Sequence, residues 1–318
     1  MEKGFLASSS PHIRSKASTP GIMKDVVIAL MPALAAGIYF FRLKALLVII
    51  VTLTACIGAE YVSNILMKKR QTIGDYSAAV TGLLLAFNLP PSIPLWIAAI
   101  GGAFAIIIVK QLFGGLGHNF MNPALAARAF LLASWPVQMT LWTSPIDGVS
   151  SATPLALIKK GAEAVDGVLP SYMSLFSGNV AGCIGETSVI ALLLGAAYLL
   201  YKRVIMPIIP LGFIATVALM TWILGGNTIF TGDVLYHILS GGLMLGAFFM
   251  ATDYATTPST MKGMLVFGIG CGLLTSIIRL YGGYPEGVSY SILLMNVAAP
   301  LIERYTRPKT FGGDIAHA

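Results

Sequence analysis

The stretch TGLLLAFNLPPSIP, residues 81–94, decides the fold class of this chain. Its apolar run is interrupted by Asn88 and then by Pro90 and Pro91, well before it reaches the roughly 20 residues that a membrane-spanning helix needs. An interrupted segment is tolerated at membrane depth only where protein or a cavity covers its freed backbone groups. The stretch therefore indicates a helical membrane bundle. The interruption marks either a ligand or ion path, or simply a short helix packed among others.

The composition of the whole chain agrees with a membrane protein. Its 318 residues are 56% hydrophobic and 10% charged, whereas soluble domains carry about 25% charged residues. Too few charges remain to cover a water-soluble surface. The net charge of +7 does not indicate nucleic-acid binding, because Lys and Arg lie in short clusters between apolar runs and not in one patch. We expect no nucleic-acid partner.

Ten apolar segments predict an all-α polytopic membrane protein. If the N-terminus is cytoplasmic, most Lys and Arg residues fall on the inner side, as the positive-inside rule requires. Both termini are then cytoplasmic, and the long segment 136–187 is extracytoplasmic. The apolar segments lie at about 25–41, 45–67, 76–90, 94–113, 119–135, 188–201, 206–225, 236–251, 263–280 and 288–303.

A weak internal repeat divides the membrane region into two halves. TGLLLAFNLPPSIP (81–94) is similar to SGGLMLGAFFMATDYATTPS (240–259), and LFGGLGHNFMNPALAARAF (112–130) is similar to LYGGYPEGVSYSILLMNVAAPLI (280–302). Five crossings per half would make the second copy inverted relative to the first. The predicted organisation is a cytoplasmic tail 1–24, membrane repeat 25–135, extracytoplasmic loop 136–187, membrane repeat 188–304 and cytoplasmic tail 305–318.

The predicted outer loop contains the hydroxyl-rich stretch DGVSSATP, residues 147–154. Threonine followed by proline is typical of a helix N-cap and first turn, so PLALIKK predicts a short helix after Thr153. The Thr153 hydroxyl would then lie near unpaired backbone N–H groups, which suit a phosphate. Ser150 and Ser151 would supply further donors. A capped surface helix without a ligand explains the same residues, and the pattern alone leaves both interpretations open.

The same stretch resembles the motif at which a flavin transferase attaches FMN through its phosphate to threonine or serine. Asp147, Gly148, Ser150 and Ser151 match that motif, and Thr153 occupies the acceptor position. Over nearly its whole length the chain resembles the family of membrane subunits that includes RnfD of Rnf electron-transport complexes and NqrB of sodium-translocating NADH:quinone reductases. The other stretches that carry the resemblance are GDYSAAVTGLLLAFNLP (74–90), GHNFMNPALAARAFLLASWP (117–136) and ATDYATTP (251–258).

The resemblance implies a urea-transporter-like fold of about ten transmembrane helices in two inverted five-helix repeats. It implies covalent FMN on Thr153 and a second, non-covalent flavin such as riboflavin among the helices. The chain would be one subunit of a translocase in a prokaryotic plasma (inner) membrane, without complete activity alone. That complex would couple electron transfer between ferredoxin and NAD to sodium or proton export. The implied partners are an extracytoplasmic FMN subunit, other membrane Rnf subunits and a flavin transferase.

Polar residues inside or beside apolar runs are the candidates for an ion path or the second flavin, because such residues are costly in a membrane. Asn122 before Pro123 predicts a half-helix that begins at a cavity, and Arg128 predicts a carboxylate or phosphate partner. Asp253 is interpreted either as an ion or flavin contact or as a helix cap. Further candidates of this kind are Glu60, Asp75, His118 and His237.

No metal site is predicted, because the three cysteines form no metal-ligand spacing. Three other functions share most of these features: an NqrB-like component of a sodium-translocating quinone reductase, a small-solute permease of the same fold, and a cofactor-free scaffold. The flavin-acceptor motif favours an electron carrier over a permease, since a permease has no use for a flavin acceptor.

Overall fold

The computed structural model describes residues 18–145, 151–160, 169–226, 228–284 and 286–308. Most of the predicted N-terminal tail lies outside the described residues, as do Asp147, Gly148 and Ser150 of the motif. The described residues form helices and no β-sheet, which agrees with the all-α class. The helices are α1 Thr19–Leu66, α2 Ser77–Phe87, α3 Leu95–Phe104, α4 Pro123–Ser134, α5 Pro136–Met139, α6 Pro154–Lys160, α7 Tyr172–Ser177, α8 Val189–Tyr201, α9 Ile208–Leu224, α10 Val234–Leu239, α11 Leu243–Leu245, α12 Met261–Tyr281 and α13 Val288–Thr306.

Helix α1 consists of two helices that meet at Arg42. The backbone angles there, φ 54° and ψ −137°, are not helical and separate the first two predicted segments. The first half begins at Thr19 and so reaches into the predicted tail. This earlier start has a local cause, because the Ser18 hydroxyl accepts a hydrogen bond from the backbone nitrogen of Gly21, and Pro20 lies in the first turn.

Each of the ten predicted apolar segments contains helical residues, but several helices are shorter than their segments. Helix α2 ends at Phe87 because Pro90 disfavours helical geometry at the residue before it. Within the described parts of the chain, α1 and α12 are long and apolar enough to cross a membrane, and several shorter apolar helices have 10–17 residues. These apolar helices are consistent with a membrane protein. The number of crossings, the inverted repeat and the topology stay predictions.

Two helices continue with π-helical winding, a feature frequent at functional sites. Helix α3 continues as the π-helix Ala105–Gln111, and α11 continues as the π-helix Gly246–Met250. The first π-helix carries Lys110 into the bundle, where its side chain is buried. The second ends at Met250, whose carbonyl oxygen accepts a hydrogen bond from Nδ2 of Asn122 at 3.4 Å.

The end of the predicted outer loop packs into the bundle. The backbone nitrogen of Ile184 donates to the Leu89 carbonyl at 3.1 Å, and that of Gly185 donates to the Phe87 carbonyl at 3.0 Å. These bonds satisfy carbonyl groups that the interrupted helix α2 leaves open at its C-terminus. Ile184 is buried and belongs to the main hydrophobic core. This part of the segment 136–187 therefore packs inside the bundle against the C-terminal end of α2 and is not a loop in solvent.

Candidate functional site

Thr153 lies at the N-terminus of α6, where the sequence predicts a helix N-cap. Its Oγ1 accepts a hydrogen bond from the backbone nitrogen of Ala156 at 3.3 Å. The side chain is only 3% exposed. Ser151 is exposed, and its backbone nitrogen donates to the Trp142 carbonyl at 3.1 Å. The two described hydroxyl residues of the motif therefore differ in access to solvent, and the predicted acceptor is the buried one.

Thr153 lines a small cavity that we call the Thr153 cavity. Its polar lining consists of Thr153, Glu186, Thr187, Ser240 and Glu286. The cavity volume is about 10 Å³, which suits a single water-sized group. All five of these side chains offer oxygen atoms. Of these five residues only Thr153 belongs to a recognisable motif, because the other four come from separate segments without a characteristic spacing.

The two carboxylates of the Thr153 cavity lie close together. One ligand atom each from Glu186, Glu286 and Cys183 falls within 4.8 Å of the other two. Oε1 of Glu186 accepts a hydrogen bond from the backbone nitrogen of Cys183 at 3.0 Å, whereas Glu286 pairs with Arg128. Folding thus creates a cluster of possible ligands that the sequence analysis did not predict.

Two glycines allow this close packing. Gly241 and Gly242 both have positive φ angles, 69° and 66°, which disfavour residues with a side chain. A Cβ on Gly242 would lie 2.5 Å from Oε2 of Glu186, and one on Gly241 would lie 2.1 Å from Cδ1 of Leu155 in α6. Because Gly241 and Gly242 have no side chains, they leave the space in which Leu155 of α6 and the Glu186 carboxylate pack.

Arg128 connects three separate parts of the chain beside the Thr153 cavity. Its Nη1 donates to Oδ1 of Asn88 and to Oγ of Ser289, each at 2.9 Å. Its Nη2 donates to the carboxylate of Glu286, so one of the two predicted kinds of partner, a carboxylate, is confirmed, although the sequence did not single out Glu286. Arg128 on α4 thereby joins the end of α2 to the start of α13. These hydrogen bonds hold the C-terminal end of α2 and the N-terminal end of α13 together.

A second buried ion pair lies between Glu60 and Lys110. Nζ of Lys110 is 2.9 Å from Oε1 of Glu60, with side chains that are 2% and 0% exposed. Nζ also donates to Oγ of Ser77 at 2.6 Å, and Oγ1 of Thr72 donates to Oε1 of Glu60 at 2.6 Å. Lys110 is one of the lysines that the positive-inside count places on the cytoplasmic side, and that side stays a prediction. What the sequence does not indicate is that the π-helix turns this side chain into the bundle.

A larger cavity, which we call the central cavity, has a volume of about 80 Å³. Its polar lining includes Lys110, Asn119, Asn122 and Asp253. Much of the remaining lining is apolar, for example the side chain of Phe248. Oδ1 of Asn119 has no hydrogen-bond partner among the described residues, although the residue is buried. The structure thus brings two of the predicted candidates, Asn122 and Asp253, to one cavity.

The local roles of these two candidates are clear from their hydrogen bonds. Oδ1 of Asn122 accepts from the backbone nitrogens of Ala124 and Leu125, so Asn122 caps the half-helix α4 as expected. Asp253 accepts from the backbone nitrogen of Ala255 at 3.4 Å and from Oγ1 of Thr256 at 3.2 Å. It stabilises the turn after the second π-helix and lines the central cavity, while its predicted contact with an ion or a flavin stays a prediction.

A third cavity, of about 50 Å³, is lined by Arg128 and Glu286 together with the aromatic residues Trp142, Tyr284 and Tyr290. Trp142 is the residue whose carbonyl accepts the hydrogen bond from Ser151. We call this the aromatic cavity. It lies beside the motif segment and shares Glu286 with the Thr153 cavity.

The remaining candidates have separate positions. Asp75 lies in the turn before α2 and accepts a hydrogen bond from the backbone nitrogen of Ser77, the first residue of that helix, at 2.8 Å. His118 is exposed, and His237 is buried in α10. Near His237, the Tyr172 hydroxyl donates to Asp233 at 2.6 Å. This hydrogen bond raises the pKa of Tyr172 and ties α7 to the start of α10.

Comparison with known proteins agrees with the resemblance seen in the sequence. The NQR2, RnfD, RnfE family matches residues 6–312. The chain is 55% identical over 315 residues to the subunit designated D of the Na(+)-translocating ferredoxin:NAD(+) oxidoreductase complex of Acetobacterium woodii, covering 98% of this chain and 96% of the relative. It is 49% identical over 318 residues to the subunit of the same designation in the proton-translocating ferredoxin:NAD(+) oxidoreductase complex of Clostridium ljungdahlii, covering 97% and 96%. Identity to the corresponding subunit of the ion-translocating oxidoreductase complex of Citrobacter koseri is 37% over 351 residues, covering 97% and 99%. The chain therefore belongs to the NQR2, RnfD, RnfE family.

Proposed function

We propose that this chain is the membrane electron-carrier subunit of an Rnf-type complex that couples electron transfer between ferredoxin and NAD to sodium or proton export. The observation that carries this proposal is the extent of the match. Two relatives that are named as subunits of ferredoxin:NAD(+) oxidoreductase complexes are 55% and 49% identical to almost the whole chain. One complex is named sodium-translocating and the other proton-translocating, so the names do not decide the ion.

Thr153 is the proposed attachment residue for FMN, through a phosphoester to its Oγ1. The motif around it and its N-cap position in α6 support this assignment. The Thr153 cavity, at about 10 Å³, has room for one water-sized group, so the flavin ring and the ribityl chain would lie outside it. Because Thr153 is buried, attachment requires α6 to leave its packed position or to pack only afterwards.

The aromatic cavity offers the described residues near the motif that best suit a flavin ring. Trp142 and Tyr290 provide aromatic faces, and Arg128 provides a cation beside them. When bound, FMN supplies the redox chemistry, while the protein contributes position and electrostatic environment. Thr153 anchors the cofactor and takes no part in electron transfer itself.

The central cavity is the proposed site of the second, non-covalent flavin, such as riboflavin. Cofactor sites are commonly apolar cavities of about 300–1,000 Å³ with a few placed polar groups, so the central cavity, at about 80 Å³, would have to widen to hold a whole flavin. The central cavity has this character, since Asn119, Asn122 and Asp253 interrupt an otherwise largely apolar lining. The unpartnered oxygen of Asn119 is a hydrogen-bond acceptor that a flavin N–H would satisfy.

Two contacts between the halves support the proposed inverted repeat. The region after α2 meets the second π-helix, with Nδ2 of Asn88 3.6 Å from Sδ of Met250. Helix α4 meets α13, where the backbone nitrogen of Asn122 donates to Oδ1 of Asn296 at 3.2 Å. Each contact joins elements at corresponding positions of the two proposed repeats, as a pseudo-two-fold axis would require.

Expression with and without a flavin transferase tests the attachment. After denaturing electrophoresis, the wild-type band is expected to fluoresce only when the transferase is present. The Thr153→Ala band should be dark, Thr153→Ser should keep some label, and the exposed hydroxyl control Thr228→Ala, away from the described cavities, should match the wild type. Mass spectrometry of the peptide that contains Thr153 should show the added nucleotide. A dark wild-type band with active transferase, or a label on another residue, would refute this assignment.

A further inference from the structure

We propose that the groove between the N-terminal ends of α9 and α12 binds one anionic phospholipid. Its phosphate would lie at Lys262, and one of its acyl chains would lie between Leu211 and Leu265. We call this surface the α9–α12 groove. The inference goes beyond the proposed function and does not depend on the flavin.

The groove lies where two closely packed apolar helices separate. A Cβ on Gly268 would lie 2.8 Å from the Ile209 carbonyl oxygen, and one on Gly272 would lie 2.5 Å from Cβ of Thr216. Small residues of this kind let helix backbones approach each other in membranes. Because Ile209 meets Gly268 and Thr216 meets Gly272, α9 and α12 run in the same direction. Their N-terminal ends therefore lie together, at the end where the groove opens.

The groove is large and almost wholly apolar. Its volume is about 450 Å³. Gly212 is buried and forms the bottom of the groove, whereas Leu211 and Leu265 are exposed along its sides. Lys262 is the one lining residue with a charge, and the others are Ile208, Leu211, Gly212, Met261 and Leu265. The lining thus accepts a hydrocarbon chain and places a single cation beside it.

Two cations at this end of the helices have no acidic partner. Lys262 is exposed and forms no ion pair with any described residue, and the same is true of Arg203, in the connection that leads into α9. The acid close to the start of α12 in space is Glu303, whose carboxylate accepts a hydrogen bond from Ser259. Basic pockets between helices at the cytoplasmic side of a membrane bind anionic lipid headgroups. The charge here therefore favours a phosphate.

The order of charge and apolar surface matches a phospholipid. The positive-inside rule predicts that Arg203 and Lys262 lie on the cytoplasmic side, so the groove would extend from that interface toward the membrane centre. A phospholipid presents its phosphate and its chains in the same order.

A helix of a partner protein fits the groove less well. The lining residues span one turn of each helix, 208–212 and 261–265, or about 6 Å along the axis. A packed helix is about 10 Å across and would contact several turns. The groove therefore has the dimensions of a hydrocarbon chain.

The test uses the full chain, purified in detergent and washed free of lipid. Native mass spectrometry counts bound lipids, and thermal unfolding is measured against added dioleoyl-phosphatidylglycerol or dioleoyl-phosphatidylcholine. Glycerol 3-phosphate supplies the same phosphate without chains. We expect one tightly bound phosphatidylglycerol and a saturable rise in the unfolding midpoint. Phosphatidylcholine should bind more weakly, because its choline cation cancels the phosphate charge, and glycerol 3-phosphate should have no effect.

Two variants separate the headgroup from the chain. Lys262→Gln should weaken phosphatidylglycerol binding about fivefold, which corresponds to ~1 kcal/mol for one lysine at a membrane surface, and leave phosphatidylcholine binding unchanged. Gly212→Leu should fill the groove and weaken the binding of both lipids. Its Cβ would make only an ordinary contact, 3.5 Å from Cδ1 of Leu265, so the fold should be kept. Arg70→Gln, another exposed cation on the predicted cytoplasmic side, is the control and should titrate like the wild type.

Several results would overturn the lipid site. These are equal affinities for the two lipids, phosphatidylglycerol binding unchanged by Lys262→Gln, or a shift that glycerol 3-phosphate reproduces. Loss of the bound lipid when the chain assembles with partner subunits would assign the groove to a protein instead. If Gly212→Leu lowers the midpoint without lipid, the Lys262→Gln titration still decides. Since the groove shares no lining residue with the Thr153, aromatic or central cavities, flavin loading should not change the lipid titration.

Discussion

Nζ of Lys110 lies 2.9 Å from Oε1 of Glu60 in a region where both side chains are buried. The pair joins the first π-helix to the second half of α1, and Thr72 and Ser77 add hydrogen bonds to it. Removing one partner of a buried ion pair leaves an uncompensated charge, which costs about 3–5 kcal/mol.

Lys110→Met should therefore lower the unfolding midpoint of the purified protein strongly, because Glu60 would remain charged and unpaired. The double variant Glu60→Gln with Lys110→Met should recover part of this loss. Thermal unfolding in detergent measures both. Lys44→Met, which changes an exposed lysine, serves as the control. Additive effects of the two single changes would contradict a direct interaction.

Arg128→Lys should be almost as harmful as Arg128→Gln, since a lysine cannot contact Asn88, Ser289 and Glu286 together as the guanidinium does. The expected result is a lower unfolding midpoint and faster proteolysis of the bundle. Arg70→Lys, at an exposed position, should have no effect. A wild-type midpoint for Arg128→Lys would show that charge alone is sufficient at this position.

Leu155→Ala should increase the rate at which a flavin transferase labels Thr153. Leu155 is buried and packs against Gly241, so its truncation loosens α6 from the bundle and exposes the threonine hydroxyl. A time course of in-gel fluorescence measures the rate. Leu157→Ala, a truncation at a less buried position of the same helix, should change the rate much less. Equal rates for wild type and Leu155→Ala would mean that burial of Thr153 does not limit attachment.

Gly242→Ala should disrupt the Thr153 cavity. The new methyl group would lie 2.5 Å from Oε2 of Glu186, at a position whose φ of 66° already disfavours alanine. We expect a lower midpoint in thermal unfolding of the purified protein in detergent, because the methyl group would displace the Glu186 carboxylate. Gly283→Ala is the matched control, because no atom lies within 4 Å of a Cβ at that position. A wild-type unfolding midpoint for Gly242→Ala would contradict the close packing of Glu186 against Gly242.

The sequence by itself determined the features that depend on neighbouring residues. Apolar composition indicates a helical membrane protein, Pro90 and Pro91 interrupt α2, and Asn122 and Thr153 cap the helices that follow them. Each of these depends on local backbone geometry, or on the cost of placing polar groups in lipid, and both act over a few residues. The family resemblance is equally a property of the ordered residues along the chain.

Only the tertiary structure decided which polar side chains meet. Glu60 and Lys110 are 50 residues apart, and Arg128 and Glu286 are 158 residues apart. Lys110 is indistinguishable in sequence from a flanking topology charge, and Glu186 lies in a segment whose composition is typical of an outer loop. Burial makes an unpaired charge costly, so these residues acquire their roles only when packing removes water and leaves each carboxylate dependent on the partner that folding supplies.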